Sequence, residues 1–206
     1  MNDLKTMALA AVSSFNAAKD HLFATVGKDL SSIYPTGISC RVEDLYMTFH
    51  VLLSDDEETR SSVLVTDKML SSWGITKEQL CSAALENTAK LFPPQIGNLS
   101  HIVGAGVGDD TPPVLVLSTQ DQMNGATALF YPGLVKKISY LVGGNYYVIP
   151  SSIHEVLISP EGYMPLNDLR EMVRSVNDSG IVSEEDILSY NVYYYDAKAG
   201  KFSIAS

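Results

Sequence analysis

Two serines, a histidine and a glutamate fall within five residues in Pro150-Ser-Ser-Ile-His-Glu155. Ser151 or Ser152 beside His154 has the composition of a nucleophile with its general base, and the chemistry would be hydrolase-type. Glu155, or a carboxylate from a distant segment, would orient the imidazole. Side-chain direction argues against a site made by these residues alone. On a strand, Ser152, His154 and Val156 share one face, while Ile153, Glu155 and Leu157 share the other. His154 and Glu155 then point opposite ways and form no base–orienter pair by themselves. Whichever face is buried carries an ionisable group inward, which is costly unless that group is paired or hydrogen-bonded. Bracing of nearby backbone is therefore the first reading of the motif. A ligand or catalytic site comes second and a partner surface third.

The remaining chemistry-bearing residues are more dispersed. Gly104-Ala-Gly-Val-Gly108 has the glycines of a phosphate loop, but Gly106 and Gly108 are only two apart. Asp109-Asp110 and two prolines follow, so no helix N-terminus is available for phosphate, and the segment reads as a loop. His21, His50 and His101 show no paired metal-ligand spacing. Cys40 and Cys81 are isolated in the sequence and read as free, buried thiols, too few for a zinc site. No metal and no cofactor is expected.

The 206 residues carry 14 Lys and Arg against 24 Asp and Glu, a formal net charge of −10. No basic cluster exceeds Lys136-Lys137, which disfavours nucleic acid and anionic membrane surfaces as partners, because phosphate contacts need a basic stripe. The acidic groups at 55–58, 109–110 and 184–186 read as solvated turns. Tyr193-Tyr-Tyr195 reads as an ordinary strand or an oligomer edge rather than a base-stacking platform. No apolar run is long enough to span a bilayer. The short run 7–12 continues as an amphipathic helix rather than a secretory leader, so the expected location is the cytoplasm.

The elements that must position these groups follow from periodicity. Apolar residues at 4, 7, 8, 11, 15 and 18 predict a first helix, and a second helical stretch is expected over 19–30. Residues 42–53 and 61–66 predict a first β-hairpin across an acidic turn. A short helix over 67–72 ends at Gly74. Thr76 and Gln79 have capping-box spacing for a helix over 77–91, which Pro93-Pro94 stops. A glycine-rich loop is expected over 97–113. Residues 114–118 and 126–131 around Asn124-Gly125 predict a second hairpin, followed by a helix from Pro132-Gly133 to about 142. Strands 146–149 and 153–159 make a third hairpin across 150–152. A helix covers 166–176, Ser183 caps a short one, and 191–195 with 201–205 form a fourth hairpin. Hairpins with interleaved helices imply an α+β fold with a mostly antiparallel sheet. The expected organisation is one domain over 1–206, with a helical N-terminal segment at 1–34 and a core at 42–206. No internal repeat or low-complexity segment is present.

Four stretches carry a family resemblance: Val63-Leu-Val-Thr-Asp-Lys-Met-Leu70 with Trp73-Gly-Ile-Thr76, Ala84-Leu-Glu-Asn-Thr-Ala-Lys-Leu-Phe-Pro93, Asn124-Gly-Ala-Thr-Ala-Leu-Phe-Tyr-Pro-Gly133, and Ile149-Pro-Ser-Ser-Ile-His-Glu-Val-Leu-Ile158. Met172-Val-Arg-Ser-Val-Asn177 and Leu188-Ser-Tyr-Asn-Val-Tyr193 extend it. Over about 42–195 the chain resembles the bacterial domain-of-unknown-function family 5688, itself similar to family 1444. The resemblance implies members longer at the N-terminus, of which this chain would be a shortened version. It implies no activity, cofactor or partner. It does set Asn87, Asn124, Ser151, Ser152, His154, Glu155 and Asn177 inside its motifs. Capping and turn chemistry account for Asn87 and Asn124. The reading is a non-enzymatic binding or accessory module for a protein or small-molecule partner. The alternative is a ligand-processing or hydrolase-type enzyme centred on 150–155.

Overall fold

A computed structural model describes residues 9–29, 36–55, 59–102 and 114–206. The Gly104–Gly108 loop and the Asp109-Asp110 pair lie outside the described residues.

Long-range pairing begins at Leu22–Gly27 (β1), whose six residues run antiparallel to Leu45–Asp55 (β3), from Leu22 opposite Val51 to Gly27 opposite Tyr46. The other edge of β3 is shared by two shorter strands, Ser39–Val42 (β2) and Arg60–Leu64 (β4). Strand alternation divides this sheet into two faces. Leu22, Ala24, Met47, Phe49 and Val51 bury themselves against a helix, Lys77–Leu91, through Leu80 and Ala84. Phe23, Thr25, Tyr46, Thr48 and His50 share the opposite face.

The second sheet has the order β10-β9-β7-β8-β6-β5 and is antiparallel throughout. Its strands are Pro94–Asn98 (β5), Leu115–Thr119 (β6), Tyr146–Pro150 (β7), Val156–Pro160 (β8), Tyr193–Asp196 (β9) and Lys201–Ile204 (β10). Tyr146, Val148, Val156, Ile158, Tyr193 and Tyr195 pack against a 3-10 helix, Gly125–Phe130, and a helix at Leu134–Val142. Ile149 and Val192 pack instead against Leu169 and Val173 of the helix Leu166–Asp178. The α+β class and the antiparallel pairing are as expected. In chain order the helices are α1 (Phe15–Ala18), α2 (Asp67–Trp73), α3 (Lys77–Leu91), α4 (Leu99–Ile102), α5 (Leu134–Val142) and α6 (Leu166–Asp178).

Local signals hold where they are self-contained. Thr76 and Gln79 form the full capping box of α3, and Gly74 closes α2 in the left-handed conformation at φ 66°. The first, third and fourth hairpins are present.

Six expectations are corrected by the structure. Residues 19–30 are not helical: Lys19–His21 form a 3-10 turn and Leu22–Gly27 a strand, so the segment 1–34 supplies a sheet strand rather than helices alone. Phe23, Thr25 and Val26 suit the pleated surface, and β3 offers six partners. The second hairpin does not exist, because both edges of β6 are occupied by β5 and β8 and residues 125–130 coil into the 3-10 helix. The expected loop after 97 overlaps β5 and α4. Ser14 interrupts the first helix and caps α1 with its side chain. The short helix expected after Ser183 is a turn, in which Ser183 Oγ accepts from the Asp186 N–H at 3.3 Å. Cys40 and Cys81 are free but half-buried rather than buried.

One edge of β1 pairs with no strand among the described residues, and side chains satisfy three of its polar groups. Thr88 Oγ1 accepts from the Ala24 N–H at 2.8 Å, and Thr127 Oγ1 accepts from the Val26 N–H at 3.0 Å. Asn87 Nδ2 donates to the Leu22 carbonyl at 2.8 Å and to the Asp20 carbonyl at 2.9 Å. The threonine hydroxyls stand where a neighbouring strand's carbonyls would be and seal the edge. Asn87 thus does more than end a helix, and Asn177 similarly donates to the Ser189 carbonyl at 3.0 Å.

Candidate functional site

The Pro150-Ser-Ser-Ile-His-Glu155 motif is a loop between β7 and β8, not a strand. Pairing resumes only at Pro150 opposite Val156, so the alternating-face reading of 152–157 does not apply to 152–155. Three neighbours stitch the loop down. The Ile153 carbonyl accepts from the Ala126 N–H at 3.1 Å, the Ile153 N–H donates to the Asp186 carbonyl at 2.8 Å, and Ser118 Oγ donates to the His154 carbonyl at 2.8 Å. Approach to the 3-10 helix is close enough to require glycine. A Cβ on Gly125 would lie 2.6 Å from Ser118 Cα and closer still to Ser118 Oγ and the His154 carbonyl. Asn124 precedes it at φ 51°, a left-handed conformation that Asn tolerates.

The candidate side chains are engaged in holding this loop. His154 Nδ1 accepts from the Asn124 N–H at 3.2 Å, while Nε2 lies 3.4 Å from Asp186 Oδ1. Accepting at Nδ1 selects the tautomer with its proton on Nε2, the nitrogen nearer the carboxylate. Ser152 Oγ accepts from the His154 N–H at 3.0 Å, and Ser151 Oγ donates to Glu155 Oε1 at 3.1 Å. A general base needs an imidazole nitrogen free to take a hydroxyl proton. Neither nitrogen of His154 meets a serine hydroxyl. The structure thus brings His154 together with Asp186, and Ser151 with Glu155, but unites none of them as a nucleophile and base.

Beside the loop runs a groove of about 830 Å3. Thr25, Tyr46 and Thr48 of the first sheet form one wall, Asn124 and Ile153 another, and the turn at 183–185 a third. Lys28 closes one end, its ammonium donating to the Glu184 carbonyl. Within the first wall, Thr25 and Thr48 hydroxyls lie 3.0 Å apart, and His50 Nε2 lies 3.3 and 3.1 Å from them. Phe23 stacks on the His50 ring at 5.1 Å. Burial in this apolar setting pushes His50 down to about 4, because the protonated ring would lose its hydration. The cluster is therefore neutral near pH 7 and presents the Thr25 and Thr48 hydroxyls to the groove without charge.

Among the described residues, no group of three or more His, Cys, Asp and Glu side chains is arranged to hold a metal ion. Among them, too, no helix is long and apolar enough to cross a membrane.

Reasoning from sequence passed over Asp186, read as part of a solvated acidic turn, and the Thr25–Thr48–His50 cluster. The i, i+2 spacing of Thr48 and His50 on a β-rich stretch placed them on one face, which was the available signal. Nothing local pointed to Thr25, because its segment read as helix.

Comparison with known proteins gives one match. The family model described as Family of unknown function (DUF5688) matches residues 3–197, which takes in the N-terminal segment as well as the stretch from 42 onward. No curated protein and no solved structure matches the chain.

Proposed function

We propose, from the premise that the chain belongs to the Family of unknown function DUF5688, that it is a non-enzymatic binding or accessory module of the bacterial cytoplasm. The groove beside Thr25, Thr48 and Asn124 is its ligand-facing surface. One observation carries this reading: His154 Nδ1 accepts from the Asn124 N–H, Nε2 lies 3.4 Å from the Asp186 carboxylate, and neither nitrogen meets a serine hydroxyl. The most enzyme-like motif is thereby accounted for as a brace that holds one wall of the groove. The groove itself is of a size suited to a small molecule, with apolar surface and a few convergent polar groups. Two free cysteines fit a reducing compartment. Bacterial origin and likeness to family 1444 rest on the segment resemblance alone.

The test is to measure His154→Ala and Ser152→Ala for both stability and hydrolysis of a panel of small esters. Bracing predicts a loss of about 1 kcal/mol in at least one variant, since the half-buried loop loses a hydrogen bond that holds it. No turnover should be seen in wild type. Wild-type turnover abolished by either substitution at unchanged stability would instead establish the hydrolase-type alternative.

A further inference from the structure

The chain's two cysteines, 41 positions apart (81 − 40), meet in the folded protein. Cys40 lies on β2 opposite Met47, whose side chain is buried on the face covered by α3. Cys81 lies on α3 next to Leu80, which with Ala84 packs into that same cluster. Strand alternation directs Cys40 toward the helix, while its neighbour Arg41 lies over the Tyr46 ring on the opposite face. Both cysteine side chains pack against the cluster between β2 and α3, and the Cys40 thiol is close enough to Cys81 to perturb its ionisation. Each is only half-buried, so a small reagent can reach the pair.

We propose that Cys40 and Cys81 are a thiol–disulfide modification site, in which two-electron oxidation by a low-molecular-weight disulfide joins their sulfurs and ties β2 to α3. In the first step one cysteine thiolate attacks the reagent disulfide, forming a mixed disulfide and releasing one small thiol. In the second, the other cysteine thiolate displaces the second small thiol and closes the Cys40–Cys81 bond. The protein loses two protons and two electrons, and the reagent disulfide is reduced to two thiols. Each cysteine must act once as thiolate. Burial and the adjacent Cys40 thiol push Cys81 up to about 11, so closure accelerates with rising pH. This inference is independent of the groove and of its ligand.

The experiment incubates the reduced intact chain with glutathione buffers of increasing disulfide fraction at pH 7.5 and pH 9. It reads intact mass, the Cys40–Cys81 linked peptide, and the denaturant midpoint before and after a reductant is restored. The expected product is a monomer lighter by two hydrogens, formed faster at the higher pH. Its folded-to-unfolded ratio should rise on the order of 10²–10³-fold, because the bond closes a loop of 41 positions (81 − 40). Reductant should reverse both changes. Cys40→Ser and Cys81→Ser should stop at a mixed disulfide with glutathione. Wild type that stays reduced, that stops at a mixed disulfide, or that links only between chains would overturn the proposal. Because reversal is read on wild type, the outcome stands even if a serine variant folds poorly.

Discussion

Tyr193 donates its hydroxyl to Asp44 Oδ1 at 2.7 Å, joining residues 149 positions apart. Asp44 sits in the turn between β2 and β3, and its Oδ2 also accepts from Ser189 Oγ at 2.7 Å and Asn191 Nδ2 at 3.0 Å. One carboxylate thus fastens the first sheet to the segment that leads into β9, and explains the polar residues of Leu188-Ser-Tyr-Asn-Val-Tyr193. Burial raises the Asp44 carboxyl, but the hydrogen bonds from Ser189, Tyr193 and Asn191 outweigh it and leave it below its ordinary value.

Replacing this carboxylate should therefore be costly in a pH-dependent way. Asp44→Ala is expected to lower stability by about 1–3 kcal/mol near neutrality, with three donors losing their acceptor. A folded-state carboxyl held below its unfolded value of about 3.9 contributes stability above that pH and loses it as the pH falls further. Urea titrations of both proteins should show the gap narrowing below about pH 4. A gap constant from pH 7 to pH 3 would refute the assignment.

The sealed edge of β1 predicts an isosteric effect. Thr127→Val and Thr88→Val keep the shape but leave the Val26 and Ala24 N–H groups, respectively, without an acceptor. Each should cost about 1–3 kcal/mol. Serine at either position should recover part of the loss. Hydrogen exchange at the Val26 and Ala24 amides is the direct readout, and protection unchanged in the valine variants would show that something else satisfies them.

Gly125 and Gly74 separate steric from conformational need. Gly125→Ala drives a methyl into Ser118 and the His154 carbonyl, and should cost about 1–3 kcal/mol or more by displacing the 151–155 loop. Gly74 has open space around a Cβ but a φ of +66°, so its alanine variant should cost only about 1 kcal/mol. Equal effects in thermal melts would contradict the close approach of the loop to the 3-10 helix.

His50 gives the clearest acid prediction. Its folded value of about 4 lies below the ordinary 6.5, so folding favours the neutral ring. The associated stability, on the order of 3 kcal/mol, is complete above pH 6.5 and is lost between about pH 6.5 and 4 as the unfolded chain takes up the proton first. His50→Gln should flatten the stability curve across that window. An unchanged slope would mean that another group titrates there.

Short-range rules made much of this protein legible in advance. Thr76 with Gln79 marks the start of α3, Gly74 the end of α2, and Gly143 the end of α5, because caps and left-handed turns are settled by a few neighbouring residues. The aromatic and β-branched residues of 146–149 and 193–195 similarly mark strands, and the antiparallel hairpins they open set the α+β class. Residues 19–30 and 126–131 carry no such self-contained signal. β1 is a strand because β3 pairs with all six of its residues and Thr88 and Thr127 satisfy its outer edge. Residues 125–130 are a 3-10 helix because β5 and β8 already occupy both edges of β6. The candidate site divides in the same way. Composition and spacing marked Ser151, Ser152, His154 and Glu155 as polar groups requiring partners. Only the tertiary structure set Asn124 and Asp186 against His154 and Thr25 beside Thr48 and His50, since the partners of a loop come from segments remote in sequence.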